Sequence, residues 1–599
     1  MKQLAPPLRP VKPRQRFTII RLLQANFYDL LLLLRESWIV LAGFGLLALA
    51  GTFYLHGYYG LGFVAALYET LKLLTLQSGL SLPADPLGQM LFFLLPLLGL
   101  ALIFQSVLNF GRLLLDKGSR REAWQVALAS TYRDHVIVCG LGRVSLRVVT
   151  QLREAGYDAV VVEREWGTEF VERMLNRKVP VILGDAREIA TLRQAGLPRA
   201  RAIVACINDD LLNIEIALTA RAARPDIRVV LRVFNETLDR NLERQFGDNS
   251  AFSASALAAP TFAAAAVSRM IEYILVIGGG LLGITRIVVQ PGSPIAGPVQ
   301  MIEQVYNIRV LHHIGANGEL LAPALMRRLN SGDIVTLLGS LAALEALRLK
   351  NRGGDAPSTL RTLPLQHPTK AFDTVIVCGL GKVGYRVVHQ LHRLDPRPRI
   401  VVIRRGDPNS EFAQHIDGLD GVTTIIGDAR EQAVLQAAGI DQAYSVAALT
   451  ADDLINLQIG LAAQRHREDV QIVLRVFSDA LAGKLADMFG IRTIYGTSEL
   501  ASPTLAAAAI LGGISQAFVA GNYLFSTDRI AIHADSPLAD CAVADIRTSH
   551  AALVIELCRG DTTLVLPALD TLIAPGDHVT LLAPLEALVR LRRLATRRA

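Results

Sequence analysis

The sequence predicts an α-helical membrane portion followed by two α/β units, each closed by a small β-rich piece, and three observations predict it. Charged residues are sparse between Trp38 and Gly111, where two uncharged runs approach the length a bilayer requires. The stretch Val136-Ile-Val-Cys-Gly-Leu-Gly-Arg-Val-Ser145 returns as Val375-Ile-Val-Cys-Gly-Leu-Gly-Lys-Val-Gly384. Later landmarks return in the same order: Gly184-Asp-Ala-Arg187 as Gly427-Asp-Ala-Arg430, Asn208-Asp-Asp210 as Ala451-Asp-Asp453, and Leu231-Arg-Val-Phe234 as Leu474-Arg-Val-Phe477. Arg286-Ile-Val-Val289 recurs as Arg529-Ile-Ala-Ile532. The offset is 239 residues at the first landmark and 243 from the second onward, so one small length change separates two parallel units. A period this long marks a duplicated domain, not a solenoid.

The totals bound what the chain can be. At about 100–200 residues per domain, 599 residues make three to five domains. Apolar content is 51%, and the excess sits before residue 112. The net charge of +7 is modest, aromatics are 6%, and no basic stripe interleaved with aromatics is visible, which argues against a nucleic-acid partner. Five cysteines without CxxC spacing fit neither a disulfide framework nor a zinc site. Cys139 and Cys378 fall inside the first strands and read as small buried apolar residues.

Residues 1–37 form a basic segment, with seven Lys or Arg against two acids and four prolines near the start. No apolar core follows the first basic residues, so no cleavable signal is expected. Phe17 to Leu34 reads as an amphipathic helix at the bilayer surface. Residues 38–111 hold two expected spans, Trp38–Leu55 and Pro86–Gly111, the second bendable at Pro96 and Gly99. Between them Leu61–Leu76, interrupted by Glu69 and Lys72, is too short and polar to span and reads as a re-entrant half-helix. Basic residues on both outer flanks place both termini in the cytoplasm, giving a multi-pass protein of the cell's inner membrane. Span, half-helix, turn and span outline a two-helix pore subunit, which encloses a path only as a symmetric oligomer: a homotetramer, if it conducts monovalent cations. The turn holds Thr75, Leu76, Gln77, Ser78 and Gly79. In a potassium filter of the Thr-Val-Gly-Tyr-Gly type, backbone carbonyls replace the ion's water. Thr75 and Gly79 match its outer positions, whereas Gln77 and Ser78 stand where the first Gly and the Tyr would be. A non-conducting membrane anchor is the alternative.

After a linker (112–132), residues 133–283 read as a Rossmann-like unit. Strand, glycine turn and helix bring Gly140 and Gly142, with Arg143 beside them, to a place where a backbone can approach a pyrophosphate at a helix N-terminus. Ser145 takes the third glycine position. Glu163 ends the next strand, 21 residues after Gly142, where a carboxylate can accept from ribose hydroxyls. Asp185 ends the third strand, with Arg187 following. Asn208, Asp209 and Asp210 follow the strand Ala202–Cys206 on the same rim, where helix capping is the competing role. Arg232 follows a further strand and can reach a phosphate or form an ion pair. An alanine-rich helix is expected from Pro260 to Ala266, and residues 284–350 read as the small β-rich piece. His312 and His313 are adjacent on a strand and point to opposite faces, so they are poorly placed to share a metal ion.

Residues 351–371 are a polar linker, and residues 372–527 repeat the Rossmann-like unit with its glycine motif complete: Gly379, Gly381, Gly384, and Lys382 among them. Arg404 stands where the first unit has Glu163. It cannot accept from a ribose diol but can hold an added phosphate, so the copies are expected to bind different ligands, or only one binds. Asp428, Arg430, Asp452 and Arg475 repeat the rim, and residues 528–599 repeat the β-rich piece. No HExxH, GxSxG, P-loop or nucleophile–base set is present, so no enzyme is expected.

With glycine turn, Gly-Asp-Ala-Arg, Asp-Asp and β-rich module in this order twice, behind a two-span membrane piece, the chain resembles a potassium channel carrying tandem domains that regulate potassium conductance (RCK domains). That resemblance implies a cytoplasmic ring of nucleotide-binding folds whose ligand pulls on the second membrane helix. It implies NAD(H) or an adenine nucleotide as regulatory ligand, the first unit being the preferred site, and a divalent cation as a further candidate. Non-conducting nucleotide sensor, or regulatory subunit of an ion transporter, is the rival reading.

Overall fold

The computed structural model describes residues 38–115, 117–269, 271–321, 325–351, 374–406 and 411–596. The expected surface helix Phe17–Leu34 and most of the 351–371 linker lie outside the described residues.

The membrane portion is α1 (Trp38–Tyr59), a half-length α2 (Phe63–Leu74) and α3 (Pro86–Leu115), followed by α4 (Lys117–Ser130). The helices α1, α2 and α3 meet at Ala48, Leu73, Leu74 and Leu95. Small residues let α2 in: Gly51 faces Thr70, and a Cβ at Gly99 would come within 2.7 Å of the Leu74 carbonyl. Thr52 and Thr70 donate their hydroxyls to Ala48 O (2.6 Å) and Ala66 O (2.8 Å), so their polar groups are satisfied within their own helices. Asp85 accepts the N–H of Gly88 in the first turn of α3 (2.8 Å), and Tyr54 on α1 donates to the same carboxylate (2.7 Å). Outward-facing Leu46, Phe53, Phe93, Leu97 and Phe104 are exposed, which suits a lipid surround. Among the described residues one helical stretch, Pro86–Gln105 with mean hydropathy 2.3, is long and apolar enough to cross a membrane.

The first unit's strands are β1 (Val136–Cys139), β2 (Ala159–Glu163), β3 (Val181–Leu183), β4 (Ala202–Ala205), β5 (Arg228–Arg232) and β6 (Ala251–Phe252), all parallel, in the order β3-β2-β1-β4-β5-β6. β1, β2 and β4 are apolar and buried along nearly their whole length, as a sheet covered on both faces requires. The order reverses between β1 and β4, so the crevice beyond their carboxyl ends opens at the glycine turn. An antiparallel sheet follows: β7 (Tyr273–Ile277), β8 (Gly280–Val288), β9 (Ile308–Ile314), β10 (Leu320–Leu321) and β11 (Ile334–Ser340), ordered β10-β9-β11-β8-β7. The second unit repeats the parallel sheet with β12 (Thr374–Cys378), β13 (Arg399–Arg404), β14 (Val422–Ile426), β15 (Ser445–Ala448), β16 (Gln471–Arg475) and β17 (Thr493–Tyr495), in the order β14-β13-β12-β15-β16-β17. It repeats the lobe with β18 (Ile514–Ala520), β19 (Tyr523–Ala531), β20 (Leu553–Arg559), β21 (Thr562–Val565) and β22 (His578–Pro584). Its order, β18-β19-β22-β20-β21, is that of the first lobe read from the other edge.

The two units exchange helices. Each glycine turn starts a helix, α5 (Arg143–Glu154) in the first unit and α7 (Lys382–His392) in the second; α6 (Ala254–Val267) and α8 (Thr497–Ile510) close the two parallel sheets in sequence. Yet α6 packs on α7, β15 and β16, while α8 packs on α5, β4 and β5. Both exchanged helices are rich in alanine and buried nearly throughout, with Glu499 in the first turn of α8 the exposed exception, so neither presents a solvent-facing polar stripe. The lobes cross over too. One core joins Val136, Val148 and Val204 with Ile510, Val554 and Leu588; another joins Phe262 and Leu275 with Val377, Val387 and Val473. The alanine-rich helix starts at Ala254, six residues before the expected Pro260, because Ser253 caps it by accepting the N–H of Ala256 (3.4 Å).

Polar clasps fix the exchange. Arg228 on β5 donates to Ala508 O at the end of α8 (3.2 Å), and Gln471, its counterpart on β16, donates to Ala265 O and Ser268 O at the end of α6. Burial holds the Arg228 guanidinium well below its ordinary pKa, near 10.

Candidate functional site

Each glycine turn begins with a residue only glycine tolerates easily: Gly140 has φ +82° and Gly379 φ +101°. Gly142 and Gly381 are the N-caps of α5 and α7, and a Cβ at either would meet nothing within 4 Å, so both are open to an approaching phosphate. Gly384 is different, since a Cβ there would overlap the carbonyl oxygen of Gly379. In the first unit Ser145 fills that place and is fully buried.

A cavity opens over the second glycine turn. A cleft of about 620 Å³, the size of a nucleotide pocket, lies over Gly379–Val383 and is walled by Arg404, Arg405, Asp428, Thr450 and Arg475. Its opposite wall comes from the first unit: Asn208, Asp210, Arg232, Phe234 and Ser253–Ser255, the residues leading into the exchanged helix. The expectation favoured the first unit, whose glycine turn is tied differently. There Glu163 turns onto its own glycine turn, accepting the Leu141 N–H at 2.5 Å and the Arg164 N–H at 2.8 Å.

The rim residues sort into distinct jobs. Asp185 and Asp428 are each held by an arginine two residues on: Arg187 Nη2 lies 2.7 Å from Asp185, and Arg430 Nη2 2.6 Å from Asp428. Those guanidiniums pull both carboxyls far below the usual carboxylate range, Asp185 to about 2. Arg187 also reaches Glu215 (3.4 Å) and Arg430 reaches Gln458 (3.0 Å). Asp209 and Asp452 are helix N-caps, accepting from Leu212 N (3.1 Å) and Ile455 N (3.0 Å). Asn208 accepts from Arg232 at 2.9 Å. Arg404 turns to Asp417 (3.5 Å), and its neighbour Arg405 instead pairs with Asp428 at 2.7 Å on the rim. Arg475 is drawn under the turn, donating to Thr450 O (3.3 Å), and burial lowers its pKa to about 10.

Cation–ring contacts cross between the units at matching places. Lys382, just after the second glycine turn, lies 4.5 Å over the ring of Phe234; Arg143, just after the first, lies 4.3 Å over Phe477. Phe234 and Phe477 were legible only as a repeated landmark; that each caps the other unit's turn needed the fold. Asp210 and Asp453 hold them in place by accepting the N–H groups of Phe234 (2.9 Å) and Phe477 (3.0 Å).

The filter-like turn closes α2 on itself. Thr75 donates its hydroxyl back to Leu71 O (3.1 Å), Leu76 takes φ +59°, and the Gln77 N–H returns to Lys72 O at 2.7 Å. Ser78 points toward Glu69 (3.5 Å), which pairs with Lys72 at 2.8 Å, and Gly79 stands clear of neighbours. For a divalent cation, no group of three or more His, Cys, Asp or Glu gathers among the described residues. His313 bonds Asp333 at 2.8 Å.

Paired Rossmann-type units with glycine turns at their switch points, exchanged helices and β-rich lobes define a protein of the tandem regulator-of-conductance class. The TrkA-N domain family matches residues 136–253 and 375–496, and the TrkA-C domain family matches 529–596. The chain belongs to the TrkA-N/RCK-domain proteins, with relatives among potassium channels and potassium-uptake proteins. It is 32% identical over 103 residues to the voltage-gated potassium channel Kch of Escherichia coli, 17% of this chain and 25% of that one. It is 25% identical over 337 residues to a Trk system potassium uptake protein TrkA homolog of Archaeoglobus fulgidus, 55% of this chain and 71% of the relative. The chain thus spans about a quarter of the length of Kch. Among solved structures, the GsuK channel superposes with TM-score 0.54 at 19% identity, covering 97% of this chain and all of the other. The GsuK channel bound to NAD superposes with TM-score 0.52 at 20% identity over 95% of this chain. These likenesses concern the fold.

Proposed function

We propose that this chain is the subunit of a ligand-gated cation channel, a homotetramer in the cytoplasmic membrane whose cytoplasmic ring binds a nucleotide and moves α3. The observation that carries this reading is the cleft over Gly379–Val383, built from both units and lined by cations facing an open helix N-terminus. A ligand that binds one conformation of the ring better than the other shifts the closed–open balance by its difference in affinity. The relative solved with NAD makes a dinucleotide or another adenine nucleotide the first ligand to try. Binding and gating, not turnover, are the expected chemistry. Purified protein in liposomes, assayed for potassium, rubidium and sodium flux with and without NAD+ or ADP, tests it. Flux that changes with nucleotide supports the reading; no flux of any cation under any ligand removes it.

A second reading, a non-conducting membrane-tethered nucleotide sensor or transporter subunit, is favoured by the filter-like turn, where Gln77 and Ser78 replace filter residues and Thr75 folds back on α2. Nucleotide binding without flux supports that alternative.

A further inference from the structure

The carboxyl end of β2 is tied at once to the first glycine turn and to the helix that leaves the membrane portion. Glu163 holds the Leu141 N–H inside that turn. Three residues on, Trp166 donates its indole N–H to Glu122 of α4 at 3.0 Å. Arg121 lies 4.9 Å over the same indole and reaches Glu172 at 2.8 Å. One turn along α4, Gln125 accepts the N–H of Val181 (3.2 Å) on β3, the edge strand of the sheet. The sober account is that these contacts merely dock α4. Two features ask for more. Trp166 sits between β2 and the helix Glu169–Asn176, beside Gly167 at φ +92°, so the segment carrying it is not locked into a ladder. And Glu163 is a carboxylate that already touches that turn.

We infer that Trp166 is a latch: a ribose diol engaging Glu163 displaces the Leu141 N–H, shifts the Arg164–Thr168 segment, and through Trp166 and Arg121 repositions α4 and with it α3. The latch rests on the ligand-gated reading and names its output lever. Trp166 and Glu122 are positioning residues that touch no ligand, so their loss separates binding from response.

Two measurements on the full chain decide it. Hydrogen exchange across residues 117–130 compares wild type with Trp166→Phe, Glu122→Leu and the double variant. The latch predicts exchange several-fold faster in each single variant and no faster again in the double. Unchanged exchange, or fully additive effects, overturns it whatever the ligand does. With Trp38→Phe and Trp124→Phe leaving Trp166 as the sole tryptophan, its emission is followed against NAD+ and ADP while calorimetry reports binding. An emission shift that Glu122→Leu abolishes at unchanged binding heat supports the latch. Binding without a shift overturns it and leaves nucleotide sensing standing. No heat from either probe removes the ligand half of the inference along with the sensing reading, while exchange still decides whether Trp166 couples to α4.

Discussion

Glu303 in the first β-rich lobe and Arg547 in the second are joined through 2.6 and 2.7 Å hydrogen bonds, Glu303 fully buried and Arg547 nearly so. Val310 N–H also bonds Glu303 (2.8 Å), and Arg547 donates to Val310 O (3.0 Å). Replacing one partner of a closed pair strands a buried charge, costing about 3–5 kcal/mol, whereas replacing both with apolar residues is often near neutral. Glu303→Gln or Arg547→Met is therefore expected to lower the midpoint of thermal unfolding by many degrees, and the double replacement Glu303→Leu with Arg547→Met to recover most of it. Differential scanning fluorimetry of the purified chain checks this; additive losses in the double variant would contradict it.

The clasp residues on β5 and β16 should matter more than surface polar residues do. Gln471→Ala leaves the Ala265 and Ser268 carbonyls without that donor, at about 1–3 kcal/mol. Arg228→Ala should cost a similar amount by freeing the end of α8. Denaturant unfolding measures both, and a loss under about 0.5 kcal/mol in each would mean that packing alone holds the exchanged helices.

Introducing into the second turn the residue the first already carries, Gly384→Ser, forces the Gly379 carbonyl to move. Overpacking of this kind costs about 1–3 kcal/mol, so nucleotide affinity at the second cleft should fall about tenfold or more with the fold retained. Isothermal titration on wild type and variant reports it.

Lys382 and Arg143 occupy matching places, yet the cleft lies beside Lys382. Lys382→Met should weaken binding about tenfold and flatten its salt dependence, while Arg143→Met should change it little. The reverse order would return the principal site to the first unit.

Acid sensitivity follows from buried histidines. His135 is fully buried and donates to Ala195 O at 2.9 Å, and desolvation lowers its pKa, as it does those of His312 and His550. The unfolded chain then takes up protons first. The contribution to stability is fully present above about pH 6.5 and declines as pH falls toward the depressed folded values. Unfolding midpoints measured from pH 7.5 to 5.5 should fall, and His135→Gln should flatten part of the slope. Asp185 acts in a separate window: with a folded pKa near 2, its contribution is present above about pH 4 and lost only below.

Much of this was legible in the residues, for a physical reason. Apolar runs ending in glycine turns, and acids at strand ends, are local signals that the parallel sheets and their caps reproduce. Asp209 and Asp452 illustrate both the strength and the limit: their type and place announced an N-cap, and N-caps they are. What could not be read is anything set by long-range docking. Nothing near Ala254 or Thr497 says whose sheet the helix will cover, so the composite wall of the cleft stayed hidden. Arg404 lines the cleft and also reaches Asp417, thirteen residues on, while Arg405 pairs with Asp428 at the rim; that division of contacts is set by side-chain packing and carries no local signal.

The traded helices have a mechanical corollary. A protease nick between residues 351 and 374 should not liberate two halves, because each would still be threaded through its sibling's interior. The fragments should travel together until denaturant is added and then melt in one step. Any tug on one half must accordingly be felt by the other, which makes the pair a single moving part.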